Sequence, residues 1–335
     1  MGRYSNKRVG IVDVAEFAGV SIATVSKVLN AKDEHISAET RERVLDAVKA
    51  LNYVPNDMAR SLKEQSNKTI GLVLPDITNA FPEMAKGAED EAARRGYHMF
   101  FCTTGGNPIQ EARCLRTLVS KMVDGIIYVS SNLETSDTLL GELPVPCIAV
   151  DRYVNKRDNI GIVKIDNQKA MSDVARFIVE RGAEKIGYIT ADVTQSPAKE
   201  RYEGLMAGLK REGRDFPANM LYTGSFDVET GYIGAMSLFG RQPDIDCIVC
   251  GNDMIALGVM NVCQKTGKSI PSDVKIVGFD DIYLSKYLNP ELTTVRQDAY
   301  RMGKCAAEML ISHVEEGSPL TTLVLPHEIV QRGTI

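Results

Sequence analysis

Hydrophobic positions in the first fifty residues fall into three short stretches at helical spacing. The first stretch begins near Asp13 and ends at Gly19, because glycine readily takes the positive φ found at helix ends. The second follows Ser21 and the third opens at Ser37, and serine is a favoured helix N-cap. The apolar stripes are Val14, Ala15 and Ala18, then Val25, Val28 and Leu29, then Val44, Leu45, Val48 and Leu51. The pattern predicts a small three-helix bundle whose first two helices form a helix-turn-helix.

The second predicted helix carries polar side chains that a helical core does not need. Hydroxyl, amide and amine groups of the kinds that bond phosphates and base edges are supplied by Ser21, Thr24, Ser26, Lys27 and Asn30. Ile22 and Ala23 stand at the exposed first turn, where apolar groups suit contact with a thymine methyl. All seven are candidates for DNA contact in the major groove. A helical hairpin that binds no nucleic acid is the alternative.

Residues 55–63 (PNDMARSLK) separate this bundle from the rest of the chain. The segment starts with proline, a helix-entry signal, and provides only about two turns of helix. Such a helix is marginal in isolation, because nucleation costs more than one turn repays, so we expect a partner to order it. An ordinary linker is the alternative. The polar residues 65–69 mark the boundary to the next region.

From residue 69 onward, apolar strands alternate with longer helices. Strands are predicted at residues 69–74, 97–102, 125–129, 147–150, 185–190, 220–223, 247–250 and 275–278. Helices are predicted at residues 82–95, 109–121, 136–142, 168–181, 200–212, 229–238 and 254–266. Alternation of this kind forms doubly wound parallel sheets, and the chain contains two sets. We therefore expect an α/β region of two doubly wound parallel-sheet lobes with a cleft between them.

Polar residues stand at several of the predicted strand ends, where ligands bind in such folds. The candidates for binding a polyhydroxyl ligand are Asp151, Arg152, Arg201, Asn252 and Asp280, with Phe226 as an apolar face for a ring. Asp253 and Asp281 follow two of the same strands. For this last pair, helix capping is the alternative interpretation.

The bundle, the connecting segment and the alternating region together resemble the lactose-repressor (LacI/GalR) family of bacterial transcription regulators. The resemblance lies in residues 13–30, 37–45, 52–62, 69–76, 123–127 and 277–281, in family order and spacing. It implies a helix-turn-helix DNA-binding domain over residues 1–54 and a hinge helix with linker over residues 55–68. It also implies a periplasmic-binding-protein-like core, with one lobe at residues 69–162 and 294–322 and another at residues 163–293 and 323–335.

The resemblance further assigns roles to single residues. It implies that Leu62 is driven between base pairs in the minor groove and that Ala59 lies where two hinge helices touch, with Lys63 as a further DNA-binding candidate. The positions that match the family's effector pocket are Asp151, Arg201, Phe226, Asn252 and Asp280.

Two positions depart from the family pattern. Phe81 stands alone where the family often has two adjacent aromatic residues at the mouth of the pocket. Its spacing to Gly87 is one residue short, so Phe81 is a stacking candidate whose register stays open. Gly10 stands where the family often places a threonine cap, so a phosphate-binding hydroxyl is missing there.

Composition limits the classes of function. The 335 residues suffice for about two or three compact units. No run approaches the roughly twenty apolar residues of a membrane span, and the basic N-terminus lacks the apolar core of a signal peptide, so a cytoplasmic protein is expected. The seven cysteines do not resemble a disulfide framework, and Cys247 and Cys250 are interpreted as inert core thiols. Neither a metal nor a cofactor is expected.

Charge is informative when the chain is divided. Residues 1–68 contain 11 Lys and Arg against 9 Asp and Glu, whereas the whole chain contains 39 against 44. An acidic remainder joined to a mildly basic N-terminal region predicts that only the N-terminal region contacts DNA. Affinity then depends on positioning two such regions on one duplex, so we expect a homodimer on a palindromic operator.

The sequence therefore predicts a DNA-binding transcription regulator, with repression favoured, gated by a small sugar or sugar derivative in the cleft. One alternative is a catabolite-control-type regulator gated by a phosphorylated protein partner, and another is a solute-binding protein. An enzyme is not expected, because the chain has no phosphate loop, dinucleotide fingerprint or nucleophile elbow. The identity of the effector and the direction of its effect stay open.

Overall fold

The computed structural model describes residues 9–30, 33, 35–54, 66–129, 139–151, 159–194 and 196–335. Contacts divide the chain into two compact units, Met1–Asn67 and Lys68–Ile335, here called the head and the body. Within the described ranges, no helix is both long enough and apolar enough to cross a membrane.

The head contains three helices, α1 (Ile11–Ala18), α2 (Ile22–Leu29) and α3 (Ala38–Ala50). The predicted helix ends are confirmed. Gly19 has a φ of 64° after α1, and Ser21 Oγ accepts a hydrogen bond of 3.1 Å from Thr24 N at the start of α2. Ser37 caps α3 in the same way. Local capping chemistry thus sets the boundaries of this bundle.

The buried core of the head contains fewer residues than the predicted apolar stripes. Val14, Val25 and Val44 are fully buried, one from each helix. Leu45, predicted for the same face as Val44, is 41% exposed. That prediction is wrong because Val44 and Ala47 already occupy the face turned to the other helices, and Leu45 lies about 100° further round α3.

The body contains two six-stranded sheets. The first consists of β1 (Thr69–Leu74), β2 (His98–Thr103), β3 (Gly125–Tyr128), β4 (Cys147–Val150), β5 (Ile160–Ile165) and β11 (Thr322–Leu325). The second consists of β6 (Ile186–Ala191), β7 (Leu221–Gly224), β8 (Cys247–Cys250), β9 (Lys275–Asp280), β10 (Thr293–Gln297) and β12 (His327–Val330). The orders are β11-β5-β4-β3-β1-β2 and β12-β10-β9-β8-β6-β7, with β10 and β12 antiparallel and the other neighbours parallel. Each sheet with its helices is called a lobe.

Helices pack against these sheets. They are α4 (Phe81–Arg94), α5 (Pro108–Ser120), α6 (Asn167–Glu180), α7 (Ala198–Arg211), α8 (Val228–Arg241), α9 (Asp253–Thr266) and α10 (Ala299–Glu316). The backbones of α4 and α10 come unusually close. A Cβ atom on Gly87 would lie 1.9 Å from Tyr300 O, and one on Gly303 would lie 1.9 Å from Met84 O. Glycine is therefore required at both positions.

The chain passes between the sheets three times, and each passage follows the end of a strand. β5 stays in the first sheet to Ile165, β10 stays in the second to Gln297, and β11 stays in the first to Leu325. The boundaries expected at 162, 293 and 322 thus fall inside or at the edge of strands and need a shift of three or four residues. A strand forms hydrogen bonds along its length with neighbours in one sheet. The chain therefore crosses to the other lobe only after the strand has ended.

Candidate functional site

Arg201, in the first turn of α7, lies at the centre of a buried polar cluster and is only 2% exposed. Its Nη2 lies 3.5 Å from Asp280 Oδ1 and 3.9 Å from Asp151 Oδ1. Its Nη1 donates to Gly251 O at 2.8 Å, and its Nε donates to Asn167 Oδ1 at 3.0 Å. A cation removed from water is destabilising unless it is paired, and two carboxylates and two further oxygens pair this one.

Asp151 and Asp280 stand at the carboxyl ends of parallel strands in different sheets. Asp151 follows β4 of the first sheet, and Asp280 ends β9 of the second. Their φ angles are 66° and 110°, a region that residues with a Cβ atom rarely adopt and that costs about 1–3 kcal/mol each. Surrounding contacts thus keep both carboxylates in place against a backbone preference.

Two carboxamides that sequence reasoning missed complete the cluster. Asn79 Nδ2 donates to Asp280 Oδ2 at 2.5 Å, and Gln297 Nε2 donates to Asp280 Oδ1 at 2.6 Å. Asn79 lies in the loop after β1 and Gln297 ends β10, so the rule of polar residues at strand ends applies to both. Gln297 was not predicted, because the strand that it ends, β10, is not among the predicted strands.

Burial raises the pKa of Asp280 to about 7. The positive charge of Arg201 opposes this rise, whereas the negative charges of Asp253 and Asp151 add to it. Near neutral pH this carboxyl group therefore exchanges between its protonated and ionised forms.

Three buried acceptor atoms of the cluster receive no hydrogen bond from the residues that the structure describes. They are Asn79 Oδ1, Gln297 Oε1 and Asp151 Oδ1. An acceptor removed from water without a donor costs about 1–3 kcal/mol. The cluster therefore offers acceptors, and a molecule with several O–H groups has the donors that these atoms lack.

Asn252 and Phe226 flank the cluster. Asn252 Oδ1 caps α9 by accepting from Ile255 N at 2.9 Å, and its Nδ2 donates to Phe226 O at 3.3 Å. The half-buried Phe226 ring lies 5.7 Å from Arg201 Cζ, measured to the ring centroid. Phe81, at the start of α4, is instead buried in the hydrophobic core. The structure thus gives Phe226 a place beside the guanidinium and Phe81 a packing role.

Asp253 and Asp281 brace the second sheet and do not cap helices. Asp253 accepts hydrogen bonds of 2.6 Å from Ser285 Oγ and from Thr294 Oγ1, and burial raises its pKa to about 6. Asp281 forms an ion pair of 2.7 Å with Arg296. Thr294 and Arg296 both belong to β10, so the two carboxylates tie neighbouring segments to that strand.

In the head, the residues predicted to contact DNA occupy the outer face of α2. Exposed or half-exposed positions are Ser21, Ile22, Ala23, Thr24, Ser26, Lys27 and Asn30, whereas Val25 and Val28 are buried. Asn30 Nδ2 donates to Ser26 O at 2.7 Å, which orients the amide along the helix. The helix therefore presents a surface that is polar except at Ile22 and Ala23 in its first turn.

Four predicted site residues lie outside the described residues: Ala59, Leu62, Lys63 and Arg152. The helix predicted at residues 136–142 lies partly outside them as well. Within the described part of the chain, no group of three His, Cys, Asp or Glu side chains is placed to bind a metal ion.

Comparison with known proteins matches both units. Residues 10–56 match "Bacterial regulatory proteins, lacI family", and residues 67–331 match "Periplasmic binding proteins and sugar binding domain of LacI family". The chain is 38% identical to the HTH-type transcriptional regulator RegA of Clostridium saccharobutylicum, over 96% of this chain and 98% of that protein. It is also 38% identical to the ribose operon repressor of Halalkalibacterium halodurans, over 97% of this chain and 96% of that protein. Its structure is similar to the lac repressor dimer bound to operator and the anti-inducer ONPF, with a TM-score of 0.86 and 25% identity over 98% and 99% of the chains.

Proposed function

Because this chain belongs to the LacI family of bacterial transcription regulators, we propose that it is a dimeric repressor whose binding to a palindromic operator is controlled by a neutral polyhydroxyl ligand beside Arg201. The family consists of DNA-binding regulators, and the chain is not an enzyme. The observation that carries the proposal is the buried Arg201 cluster, which joins two lobes and contains acceptors that receive no hydrogen bond from the described residues.

The charge of the cluster favours a neutral ligand over an anionic one. Among the residues that the structure describes, two carboxyl groups, those of Asp151 and Asp280, lie beside the guanidinium of Arg201. A phosphorylated sugar would bring further negative charge against these carboxylates in a region of low dielectric, where repulsion is strong. Sugar hydroxyls can instead donate to the three acceptor atoms that receive no hydrogen bond from the described residues, and the Phe226 ring offers an apolar face. The name of the Halalkalibacterium relative makes ribose the first compound to test.

A ligand bound at the Arg201 cluster affects how the two lobes are arranged relative to each other. Asn79 and Asp151 belong to the first lobe, and Arg201 and Asp280 belong to the second. A ligand that replaces some of the contacts between them favours one arrangement of the lobes over another. It shifts the equilibrium only through its differential affinity, and a 100-fold preference supplies about 2.7 kcal/mol.

Operator binding is assigned to the outer face of α2 and to residues 55–63. In the proposed complex α2 enters the major groove, and Leu62 and Ala59 of two protomers meet in the minor groove, with Lys63 beside them. Because a regulator of this kind binds bacterial DNA, which lies in the cytoplasm, we propose that the protein is cytoplasmic.

The proposed homodimer is supported by exposed apolar side chains on the body. Phe100 and Phe101 of the edge strand β2 are 47% and 45% exposed, and Tyr283 and Tyr287, beyond β9, are each 62% exposed. Aromatic residues left in water are enriched at surfaces that pair with another protein. The occupant we propose is a second copy of this chain, the assembly named for the similar lac repressor structure.

A thermal-shift screen tests the ligand, with neutral pentoses, hexoses, disaccharides, nucleosides and purines. Ribose and ribose 5-phosphate form a matched pair that differs in charge. We expect a neutral compound to raise the unfolding midpoint, since a ligand at 100 times its Kd adds about 2.7 kcal/mol. The same compound must change the affinity for a palindromic duplex that the protein selects from random-sequence DNA. Stabilisation by phosphorylated sugars alone contradicts the proposal, and silence to every compound points to a protein partner.

A further inference from the structure

Two half-buried thiols meet between β2 and α5. Cys102 belongs to the strand and Cys114 to the helix, and both side chains pack against the hydrophobic cluster that contains Leu115 and Leu118. Cys114 Sγ donates a weak hydrogen bond of 3.8 Å to the carbonyl oxygen of Thr103, the residue after Cys102. The two thiols also lie close enough to hydrogen-bond with each other. The fold thus brings together two sulfur atoms that no sequence motif connects.

The other five cysteines are placed differently. Four of them, Cys147, Cys247, Cys250 and Cys263, are buried, and burial raises the pKa of each thiol. Cys247 and Cys250 have the spacing of a redox pair, but they lie in β8 with their side chains in different hydrophobic clusters. Cys305 is half-buried on α10, where it packs against one of those clusters. The pair between β2 and α5 is therefore the one in which two thiols are both partly exposed and adjacent.

A short, ordered connection holds the strand and the helix in this relation. Gly105 and Gly106 have φ angles of 61° and 70°, a region that glycine adopts without strain. Asn107 then caps α5, because its Oδ1 accepts a hydrogen bond of 2.8 Å from Ile109 N. The two thiols therefore belong to consecutive elements whose connection is fixed, and they need no rearrangement of the lobe to stay together.

The reactivity of the two thiols differs in one respect. Burial and then the neighbouring Cys114 thiol raise the pKa of Cys102. Because the thiolate is the nucleophile, a raised pKa makes Cys102 a poor first reactant with an oxidant. A second, intramolecular step is less demanding, since proximity offsets low intrinsic reactivity. We therefore assign the first attack to Cys114 and the second to Cys102.

We propose that Cys102 and Cys114 form an oxidation site at which a peroxide converts two thiols into a disulfide between β2 and α5. The Cys114 thiolate attacks hydrogen peroxide, the O–O bond breaks, and a sulfenic acid forms while hydroxide takes up the thiol proton as water. The Cys102 sulfur then attacks the Cys114 sulfur, the S–O bond breaks, and a second water leaves with the Cys102 proton. Two electrons pass from the sulfur atoms to the peroxide. In a reducing compartment such a pair stays reduced, so the disulfide records exposure to an oxidant.

Mass spectrometry tests this site directly, because trypsin cleaves after Arg113 and so separates the two cysteines. Folded, reduced protein is treated with hydrogen peroxide, the remaining thiols are blocked with N-ethylmaleimide in urea, and the digest is analysed without reduction. We expect residues 96–113 to be joined to residues 114–116, at a mass two hydrogen atoms below the sum of the two peptides. Dithiothreitol should separate them.

Three serine variants supply the controls. Cys305→Ser removes the third half-buried thiol and should form the link at the wild-type rate, whereas Cys114→Ser should form none. Cys102→Ser should accumulate a sulfenic acid on Cys114 that dimedone traps, because the second thiol is missing.

The proposal is overturned if the folded wild-type protein forms no link, if the link appears only after unfolding in urea, or if Cys305 is joined to either thiol as readily. Sulfinic or sulfonic acid on Cys102 or Cys114 in place of the link has the same meaning. The measurement uses neither ligand nor operator, so its failure leaves the proposed function unaffected.

Discussion

The Asn79 amide and the Asp280 carboxylate join the two lobes of the body through a hydrogen bond of 2.5 Å between residues 201 positions apart in sequence. The same carboxylate also faces Arg201 and accepts from Gln297. Its protonation and its neighbours therefore affect both the stability of the body and the proposed ligand site.

The body should lose stability as the pH rises from 5 to 8. Burial raises the folded-state pKa values of Asp280 and Asp253 to about 7 and about 6, above the ordinary 3.8, so the folded protein binds more protons than the unfolded chain in this interval. That stabilisation is complete below the ordinary value and is lost as the pH passes the folded pKa. For Asp280 we expect a loss of about 2 kcal/mol, measured by urea unfolding. Asp280→Asn should flatten the profile, and an unchanged profile would contradict the prediction.

Replacing Arg201 by Met should leave Asp151 and Asp280 buried without their cation. We expect the unfolding free energy to fall by about 3 kcal/mol and ligand stabilisation to disappear, while the head still binds DNA. Arg176→Met, at an exposed position of α6, serves as the control and should change neither. At a pH above the pKa of Asp280, adding Asp280→Asn should restore part of the lost stability, because there it removes an uncompensated charge. Full stability of Arg201→Met on its own would show that the buried pairing contributes little.

Lys27→Ala should weaken operator binding about tenfold, the factor of 1.4 kcal/mol, because Lys27 lies exposed on the outer face of α2. Ligand affinity of the body should be unchanged, since Lys27 belongs to the other compact unit. Lys49→Ala removes the same charge from an exposed position of α3. Fluorescence anisotropy with labelled operator compares the two variants. An equal loss in both would mean that only the net charge of the head matters.

Gly87→Ala should destabilise the body by about 3 kcal/mol or more. Its Cβ atom would lie 1.9 Å from the backbone oxygen of Tyr300, so α4 and α10 must separate. Gly240→Ala is the matched control in α8, where an added Cβ meets nothing within 4 Å. There alanine should stabilise the protein by about 0.5–1 kcal/mol through its higher helix propensity. Urea unfolding should give changes of opposite sign, and similar changes would refute the packing argument.

Helix ends and strands were predictable because their signals are local. Gly19, Ser21 and Ser37 act within a few residues of themselves, through φ preference and capping hydrogen bonds. The predicted strands at 147–150 and 247–250 have the observed bounds, since a short apolar run between turns needs no knowledge of its partner. Polar residues at strand ends then located Asp151 and Asp280, because all strands of a parallel sheet end at the same edge.

Other features depend on which parts of the chain meet. Helical spacing in the sequence leaves open which of several adjacent faces of α3 is buried. The packing of α1 and α2 decides that Val44 is buried and Leu45 is exposed. The pairing of Asn79 and Gln297 with Asp280 likewise requires the path of the chain between two sheets.

By itself, the sequence determined the head, the alternation of strands and helices, the family and the carboxylates at the strand ends, because each depends on short-range pattern and residue chemistry. Only the tertiary structure decided where the chain crosses between lobes and which carboxamides bind Asp280. It alone also brought Glu315 to Lys68, 247 positions away. Contacts at such separations depend on the summed packing of the whole chain, which no local pattern contains.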